Sequence, residues 1–472
     1  MRKLKFISIN IVLVLGMLLA SCAPKATPTK ESPAAAPTKE AVEEPTKEAV
    51  EEPTEAAVPE EKEPVVLHFL KMSDELEAKA FAEMVEEFHT IENGKWSYVT
   101  VEYDGKPFPE LFPSIEKAVA TGSDVDIVQA DGPDVKHFAY NGVLMDLTDY
   151  FSEDEMKQWA PQSVVEGSMN GHFYGPPEVQ SCQLMWFNKD MFDAAGIDYS
   201  NPDGWTYGAD GTGLPNWQKL TKDEDGDGTP EVFGLETEGP WDYFQHIPAR
   251  SNGEPGSPTY EGVGEDGISF VGYFDTPEAI EAYQFMQDMV YEYKVMSAEF
   301  LPNQMLSGLA ATSVYQDMIV GTQKDQFPDF NMGGMEPPYF KTPLCQTGSW
   351  HYGITSSTKH FEEALAFVKF ASSDAGAKYI WKYKNQLPAN VNLYNTIDEF
   401  SDPANPRSLM ANFFVQYGAP RIVTPGYTEY NALFTQFWTS LMAGEEDVAG
   451  LTHEYAQLME EATAKYAGWQ DK

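Results

Sequence analysis

Four acidic side chains fall close together in a short Gly-rich segment. They are Asp223, Asp225, Asp227 and Glu231, and they fit the pattern D-x-D-x-D-G-x-x-E. Carboxylates at alternate positions, a glycine for the tight turn and a later acid are what a seven-oxygen calcium shell requires. A full EF-hand loop has Glu at its twelfth position, where this sequence has Gly234. The pattern predicts either a shorter, structural calcium loop or an acidic hairpin without an ion.

A second group of polar side chains comes directly after apolar runs. Ser73 and Asp74 follow residues 65–70, and Asp131 follows residues 126–130. In an open α/β sheet, ligands bind beyond the carboxyl ends of the strands. Topology therefore places these three side chains at a site. The alternative is that they cap the helices that follow, a common role for Ser and Asp.

The segments around these side chains alternate between strand and helix patterns. Residues 65–70, 96–103 and 126–130 have the apolar runs or alternation of strands. A helix is predicted from about Asp74, where apolar residues recur at intervals of three and four, and another over residues 111–119. Strand–helix–strand–helix–strand predicts a parallel sheet with right-handed crossovers.

Helical patterns dominate later in the chain. They cover residues 276–293, 362–372 and 427–467, the last with an interruption near Gly444. Helices added to α/β units indicate a second lobe and helices that wrap around it.

The first 22 residues have the layout of a secretory signal. Arg2, Lys3 and Lys5 precede an apolar run over residues 7–19, and Leu-Ala-Ser-Cys ends at Cys22. The run is shorter than the roughly 20 residues that span a bilayer. Leu-Ala-Ser-Cys resembles the bacterial lipobox, whose Cys is lipidated, so we expect an extracytoplasmic chain anchored to the cell membrane by Cys22 alone. An ordinary signal peptide that contains a Cys is the alternative.

Residues 23–63 are rich in Pro, Thr, Lys, Glu and Ala, and residues 37–44 are repeated directly as residues 45–52. Such a segment buries too little apolar surface to offset its chain entropy, which predicts disorder. Regular prolines and like charges extend it. We expect a tether that holds a globular domain away from the membrane.

The composition of the chain limits the classes of function that it can have. The formal net charge of −43 argues against nucleic acid, which needs a basic surface. The hydrophobic fraction of 42% supports a real core, and 10 Trp and 24 Tyr are many. Aromatic faces suit sugars, whose C–H faces pack on them, although most such residues are half-buried packing. Cys182 and Cys345 could form a disulfide in an oxidising compartment, or remain two buried thiols.

The familiar catalytic motifs are missing from the sequence. It has no Gly-x-Ser-x-Gly elbow, no His-Glu-x-x-His helix and no Walker loop, and its eight His are scattered. A secreted glycosidase needs two carboxylates about 5–9.5 Å apart across a cleft, and no motif singles out such a pair. A surface adhesion protein would show repeats or β-rich domains in its globular part. Binding without turnover is favoured.

Four stretches resemble the extracellular solute-binding proteins of ABC importers, in the sugar branch that includes maltodextrin-binding proteins. Residues 124–150 resemble the third strand and the Gly-x-Leu-x-Asp-Leu turn of that family. Residues 171–196 resemble its first crossing between lobes, residues 347–354 its returning crossing, and residues 362–390 its later helix and Leu-Pro turn. The resemblance covers the chain from Val65 to the C-terminus.

The resemblance implies two α/β lobes, each a mostly parallel sheet with flanking helices, joined by hinge segments. Residues 64–177 with 352–400 form the first lobe, and residues 178–351 with 401–472 form the second. Such a monomer closes on a sugar and presents it to the permease subunits of the importer. No cofactor is expected, apart from one structural calcium ion if the acidic loop holds it.

The resemblance also carries ligand contacts to particular positions. Asp131 is expected to accept hydrogen bonds from sugar hydroxyls, and Trp241 and Tyr243 to stack on sugar rings. The remaining contacts expected by position are Ser73, Asp74, Gln180, Ser181, Tyr315, Asp317, Trp350, Tyr427 and Trp438.

The sequence departs from the family at two places. Residues 207–215 are Gly-rich where the family continues into a helix, and residues 313–316 read Ser-Val-Tyr-Gln where the family often has a Trp. The identity and length of the sugar therefore do not transfer. Another polar solute, such as a peptide or a polyamine, stays open because the fold carries many ligands.

Overall fold

A computed structural model of the chain describes residues 62–201, 203–348, 350–444 and 446–471. The predicted signal segment, the predicted lipidation of Cys22 and nearly all of the predicted tether lie outside the described residues. Residues 61–472 belong to one unit of the chain. Among the described helices, none combines the length and the apolar character that crossing a membrane requires.

The described part contains long strands and several two-residue strands. In chain order they are β1 (Val65–Met72), β2 (Val99–Lys106), β3 (Ile127–Asp131), β4 (Ser168–Met169), β5 (His172–Phe173), β6 (Gln183–Asn188), β7 (Phe233–Leu235), β8 (Ala310–Gln316), β9 (Met332–Met335), β10 (Cys345–Gln346), β11 (Trp350–Ile354) and β12 (Gly418–Ala419).

Helices are the main regular structure in the rest of the described chain. They are α1 (Glu75–Phe88), α2 (Phe108–Thr121), α3 (Gly132–Tyr140), α4 (Glu153–Met156), α5 (Pro161–Glu166), α6 (Lys189–Ala195), α7 (Gly213–Leu220), α8 (Asp242–Gln245), α9 (Ile247–Ser251), α10 (Pro258–Glu261), α11 (Pro277–Tyr291), α12 (Met318–Gln326), α13 (Phe361–Ala371), α14 (Asp374–Lys384), α15 (Asp398–Ser401), α16 (Pro406–Tyr417), α17 (Tyr427–Met442) and α18 (Val448–Thr463). Short 3₁₀ turns cover Ile91–Gly94, Thr148–Tyr150, Val391–Asn395, Ala464–Tyr466 and Trp469–Asp471.

The first lobe is built on a sheet with the strand order β11-β3-β1-β2. Strand β1 runs parallel to both β2 and β3, and β11 joins β3 antiparallel on the far side. Helices α1 and α2 are the crossovers between these parallel strands, because each follows one strand and precedes the next. The predicted strand–helix–strand–helix–strand order and its parallel pairing are confirmed here.

The second lobe is built on a sheet with the order β7-β8-β6-β9. Only β7 and β8 pair parallel, while β6 is antiparallel to both β8 and β9. The expectation of a mostly parallel sheet in each lobe is therefore wrong for this lobe. Strand β6 carries the chain away from the crossing and β8 brings it back, with Gln183 opposite Gln316, so the two strands run in opposite directions.

Segments that cross between the lobes lie side by side. The Glu178 N–H donates to the Trp350 carbonyl at 2.8 Å, and the Gln180 N–H donates to the Leu387 carbonyl at 2.7 Å. A disulfide joins Cys182 to Cys345, whose Cα atoms are 5.4 Å apart. The outgoing and returning crossings are thus tied to each other at the start of the second lobe.

Apolar side chains cover both faces of the second sheet. On β6, Met185 and Phe187 join one buried cluster, whereas Leu184 and Trp186 join another on the opposite face. This alternation follows from the two-residue period of a strand. A separate cluster surrounds the first sheet. The two sheets, each with its own apolar clusters, form two lobes, which is the predicted fold class.

Candidate ligand-binding cleft

A cavity of about 630 Å³ lies between the two sheets, where β1, β3 and β8 end. Its wall is formed by Met72, Phe108, Pro109, Phe112, Asp131, Asp134, Trp241, Asp242, Tyr243, Phe244, Tyr315, Gln316, Met318, Gly348, Trp350, Gln386, Arg421, Tyr427, Thr428, Asn431, Ala432 and Thr435. Small-molecule sites commonly measure about 300–1,000 Å³. The cavity therefore has the size of a site for a small ligand, and both lobes contribute to it.

Charged and polar side chains are linked across the floor of the cavity. The Asp131 carboxylate accepts the Gly132 N–H at 2.9 Å at the start of α3, and it forms an ion pair with the Arg421 guanidinium. Arg421 also donates to the Tyr427 hydroxyl at 3.0 Å, and that hydroxyl donates to Asp242 at 2.5 Å. These hydrogen bonds connect the end of β3 in the first lobe to α8 and α17.

The position of the guanidinium depends on a glycine in the returning crossing. At Gly348 the backbone φ is 125°, a conformation that side chains rarely adopt. A Cβ atom at this position would come within 2.6 Å of the Arg421 side chain. Gly348 therefore leaves the space in which Arg421 reaches Asp131.

The surroundings of two carboxyl groups in the cavity favour their neutral forms. Burial, and then the neighbouring charge of Asp131, raises the pKa of Asp134 to about 7. Burial also raises the pKa of Asp242, against the opposing effect of Arg421. A group with its pKa near 7 changes charge readily when a ligand brings its own charge or hydrogen bonds.

Aromatic side chains line the cavity on both sides. In the first lobe the Phe112 and Trp350 rings are stacked, with centroids 6.5 Å apart. Trp350 begins β11 and pairs with Asp131 of β3, so it belongs to the first sheet and not to the second lobe, where the expected boundary at residue 351 placed it. In the second lobe Phe244 and Tyr315 are stacked with centroids 5.1 Å apart. Trp241 keeps 37% of its surface exposed, and its ring lies over Gly239, where a side chain would clash with it. The cleft thus combines flat apolar faces with a polar floor, an arrangement that holds a ring-shaped, hydroxyl-bearing molecule.

Half of the ligand contacts expected from the sequence lie on this wall. They are Asp131, Trp241, Tyr243, Tyr315, Trp350 and Tyr427. Asp131 ends β3, Tyr315 lies near the end of β8, and Trp350 begins β11. Trp241 directly precedes α8, Tyr243 lies in its first turn, and Tyr427 begins α17. The remaining six expected contacts are not among the residues that line the cavity.

Ser73 and Asp74 have local roles at the end of β1. The Asp74 carboxylate accepts the N–H groups of Leu76 and Glu77, which makes it the N-cap of α1, and it lies 3.2 Å from the Lys384 ammonium group. Ser73 packs against Gly105 on the neighbouring strand. For Asp74 the structure matches the capping alternative.

Gln180 and Ser181 use their polar atoms within the crossing. The Gln180 amide donates to Ser163 at 2.9 Å and to Glu166 at 2.8 Å, and its oxygen accepts the N–H of Gly348. The Ser181 hydroxyl donates to the Gly348 carbonyl. Both side chains therefore hold the backbone of Gly348 in place. Gly348 lines the cavity, whereas Gln180 and Ser181 do not.

Asp317 and Trp438 are buried away from the wall of the cavity. Asp317 has 1% of its surface exposed and lies 3.6 Å from the Arg407 guanidinium, and burial raises its pKa to about 7. Trp438 on α17 has 2% exposed and belongs to the apolar core of the second lobe. Both are internal residues of that lobe.

Three acidic or basic residues of the cavity were not predicted from the sequence. Asp134 lies one helical turn after Asp131, so extending the argument about strand ends into α3 would have found it. Asp242 stands between the two aromatic residues expected before and within α8. Arg421 lies in the connection from α16 to α17, and no local pattern marks it, because only the tertiary fold brings that connection to the end of β3.

The predicted metal loop brings its aspartates together. Carboxylate oxygens of Asp223, Asp225 and Asp227 all lie within 4.8 Å of one another on the surface. The same carboxylates accept backbone N–H groups of the loop, among them those of Gly226 at 2.7 Å and Gly228 at 2.8 Å. Glu231 instead accepts the Glu224 N–H at 2.7 Å and so closes the loop. The donor set suits a hard cation such as calcium, and the hydrogen bonds equally suit a turn without one.

Comparison with known proteins gives a consistent picture. Residues 73–378 match the model of a protein family described as bacterial extracellular solute-binding protein. In sequence, the chain is 23% identical over 310 residues to a Brucella abortus protein that carries the description of a binding protein, which covers 62% of this chain and 69% of that protein.

Solved structures share the fold at low sequence identity. One is an ABC substrate-binding protein from Listeria monocytogenes in complex with cycloalternan, with a TM-score of 0.72, 19% identity and coverage of 85% of this chain and 100% of that chain. Another is an ABC transporter solute-binding protein from Thermotoga lettingae bound with α-D-tagatose, with a TM-score of 0.71, 18% identity and coverage of 84% and 99%. At these identities the likeness establishes the two-lobed fold.

Proposed function

Since the chain belongs to the family of bacterial extracellular solute-binding proteins, we propose that it captures a carbohydrate between its two lobes and delivers it to the permease of an ABC importer. The two structural neighbours described above are named for complexes with sugars of different size. This supports a sugar as the class of ligand and leaves its length to experiment.

The observation that carries the proposal is the composition of the cavity wall. Aromatic faces from both lobes, such as Trp350 and Trp241, stand on either side of a floor that holds Asp131 and Asp242. A sugar ring presents C–H groups on its faces and hydroxyls on its rim. The faces pack on aromatic rings, and the hydroxyls donate to carboxylates, so the two kinds of wall match the two kinds of sugar surface.

Binding between the lobes provides a signal for transport. A ligand that contacts residues of both lobes has its full set of contacts only when the lobes are closed, so it shifts the population towards the closed form. The crossing segments act as the hinge, and the permease recognises the closed pair of lobes. The sugar is released unchanged, and the protein is not an enzyme.

The remaining parts of the proposal concern location and assembly. We expect a monomer that is held at the outer face of the cell membrane by the lipidated Cys22 and by no other anchor. The acidic tether of residues 23–63 gives the lobes reach towards the permease. Mass spectrometry of the membrane-extracted protein, compared with a Cys22→Ala variant, tests the lipid directly.

The binding test is a titration of tryptophan fluorescence against mono- and oligosaccharides, paired with chromatography of the same sugars after incubation. We expect a saturable change with at least one sugar, and recovery of that sugar intact. Hydrolysed product would support the secreted glycosidase instead. A response to peptides or spermidine with none to any sugar would overturn the carbohydrate class while keeping a solute-binding role.

A further inference from the structure

Acidic groups outnumber basic groups on the wall of the cavity. Asp131, Asp134 and Asp242 contribute carboxylates, and Arg421 is the one cationic side chain among the described residues of the wall. Arg421 is already paired with Asp131. Within the described part of the chain, no nitrogen of Lys, Arg or His lies within 4.0 Å of the carboxylate of Asp134 or Asp242. The wall therefore holds two acids that form no ion pair with any described residue.

Asp242 is the more deeply buried of these two acids. Its side chain is fully buried, and its Oδ1 atom accepts the hydroxyl of Tyr427 at 2.5 Å. Its Oδ2 atom has no hydrogen-bond partner among the described residues. Buried polar atoms are nearly always paired, and an ionised carboxylate without a partner is costly in an interior. A partner for Oδ2 is thus expected from the ligand.

Asp134 offers a second acceptor on the same wall. It has 4% of its surface exposed and accepts one hydrogen bond, from the Thr428 hydroxyl at 3.2 Å. Burial and the nearby Asp131 raise its pKa to about 7, so its ionised form lacks stabilisation at neutral pH. A positive charge beside it would favour that ionised form.

Aromatic faces next to these acids also favour a cation. The Arg421 guanidinium carbon already lies 5.3 Å from the centre of the Tyr243 ring and 5.4 Å from that of Tyr427. The faces of aromatic rings carry negative potential and attract cations, most strongly where water is excluded. Trp241, with 37% of its surface exposed, belongs to the same wall.

We propose that the cleft takes a sugar that carries a cationic nitrogen, such as an amino sugar or an oligosaccharide that contains one, with its ammonium group against Asp242 and Asp134. This inference rests on the proposed carbohydrate function and names its class of ligand. An ammonium group supplies three N–H donors and a positive charge, whereas a neutral hydroxyl supplies one donor and no charge. The ring of the sugar packs on the aromatic walls. An open-chain polyamine has no ring face that could stack there.

Pairs of sugars that differ only in an amine replacing a hydroxyl test the proposal, and they do so without the glycosidic linkage of the natural ligand being known. Glucosamine is compared with glucose, galactosamine with galactose, and a β-1,4 glucosamine trimer with cellotriose and with its N-acetylated form. Calorimetry at pH 7 is expected to show at least one amine binding ten times or more tightly than its hydroxyl partner. N-acetylation, which removes the charge, is expected to abolish that advantage.

Substitutions of the two aspartates test whether they bind the ammonium group of the ligand. Asp242→Asn and Asp134→Asn keep the shape of the side chains and remove their charge, and each is expected to reduce the preference for the amine at least threefold. Asp149→Asn, which changes an exposed aspartate outside the cleft, should leave it unchanged. Far-UV circular dichroism checks that each variant is folded, and the two aspartates provide independent variants.

The outcomes separate this inference from the proposed function. Neutral sugars that bind as tightly as their amines would overturn the inference and support the carbohydrate proposal. A preference for the amine that survives both substitutions would also overturn it. Binding of spermidine with no binding of any sugar would overturn both proposals.

Discussion

Arg421 is a single side chain on which the geometry of the cleft depends. It is 7% exposed and joins Asp131 of the first lobe to Tyr427 of α17. A buried ion pair adds little compared with a well-packed apolar pair, but removal of one partner leaves the other charge unpaired in the interior. The cost of losing Arg421 should therefore fall on folding as well as on binding.

The first prediction concerns this ion pair. Arg421→Met is expected to lower the free energy of unfolding by about 3–5 kcal/mol, because Asp131 loses its cation. Urea denaturation followed by fluorescence measures the change. The double variant Asp131→Asn with Arg421→Met removes both charges and should recover part of the loss. A single variant as stable as the parent would show that Asp131 is neutral or well solvated.

The second prediction contrasts two tryptophans. Trp241→Ala is expected to weaken sugar binding about tenfold, or about 1.4 kcal/mol, because a stacking face is lost. Its stability should change little, since 37% of the side chain is already exposed. Trp438→Ala should do the reverse and cost about 3–5 kcal/mol of stability while the affinity of the folded protein stays within about threefold. Equal effects of the two substitutions on affinity would contradict this division.

The elements of the first lobe could be predicted from the sequence, whereas those of the second lobe could be predicted only in part. Strands β1 to β3 and helices α1 and α2 follow one another with local signals, because each has its own hydrophobic period. The pairing of β6 with β8 joins residues that are distant in sequence, across the helices and loops between them, and no local signal reports it. For the same reason Asp131 was identifiable at a strand end, while Arg421 became part of the site only through the fold.

The third prediction concerns the disulfide between the crossing segments. It closes a loop with a sequence separation of 163, and both sulfur-bearing side chains are fully buried. Cys182→Ala with Cys345→Ala is expected to cost about 2–5 kcal/mol, mainly because the unfolded chain regains freedom. Thermal unfolding of this variant against the parent measures the loss. Titration of two free thiols in the denatured, unreduced parent would show that the bond is not formed.

The calcium interpretation of the acidic loop stays a prediction. If the loop binds calcium, the midpoint of thermal unfolding should rise in excess calcium over EDTA, because the ion relieves the repulsion among Asp223, Asp225 and Asp227. A variant with Asn at all three positions should lose the response, and Asp149→Asn should keep it. Equal midpoints in calcium and EDTA for the parent would identify a turn held by its own N–H groups.

On the scale of the whole molecule, the fold buries carboxyl groups in both lobes. Burial, then the charge of Glu77, raises the pKa of Glu178 at the outgoing crossing well above its ordinary value. In the second lobe burial raises the pKa of Glu236 to about 7, and burial together with the charge of Glu236 raises that of Glu238 well above its ordinary value. Glu77 behaves differently: burial opposes its ionisation, but two buried lysine partners lower its pKa to about 2.

The directions of these pKa shifts determine how the stability of the fold should depend on pH. Between about pH 4 and 7 the carboxyl groups with raised pKa are ionised in the unfolded chain but stay protonated in the folded chain. The folded state binds more protons there, so stability falls as the pH rises through this range. Below about pH 4.5 the salt-bridged Glu77 acts in the opposite direction, and its contribution is lost as the pH falls towards 2. The net charge of −43 strengthens the first trend, because acidification reduces self-repulsion.

The last prediction is therefore a stability maximum in mildly acidic solution. The midpoint of thermal unfolding should be several degrees higher at pH 5.5 than at pH 8, since each tenfold difference in proton affinity between the folded and unfolded chain is worth about 1.4 kcal/mol. Glu238→Gln keeps an oxygen for the Ser313 hydroxyl and removes one buried acid, so it should raise the midpoint at pH 8 and flatten the profile. Glu224→Gln, at an exposed position in the acidic loop, is the control for charge alone. A midpoint that falls steadily from pH 8 to 5.5 would mean that these carboxyls are ionised in the folded protein.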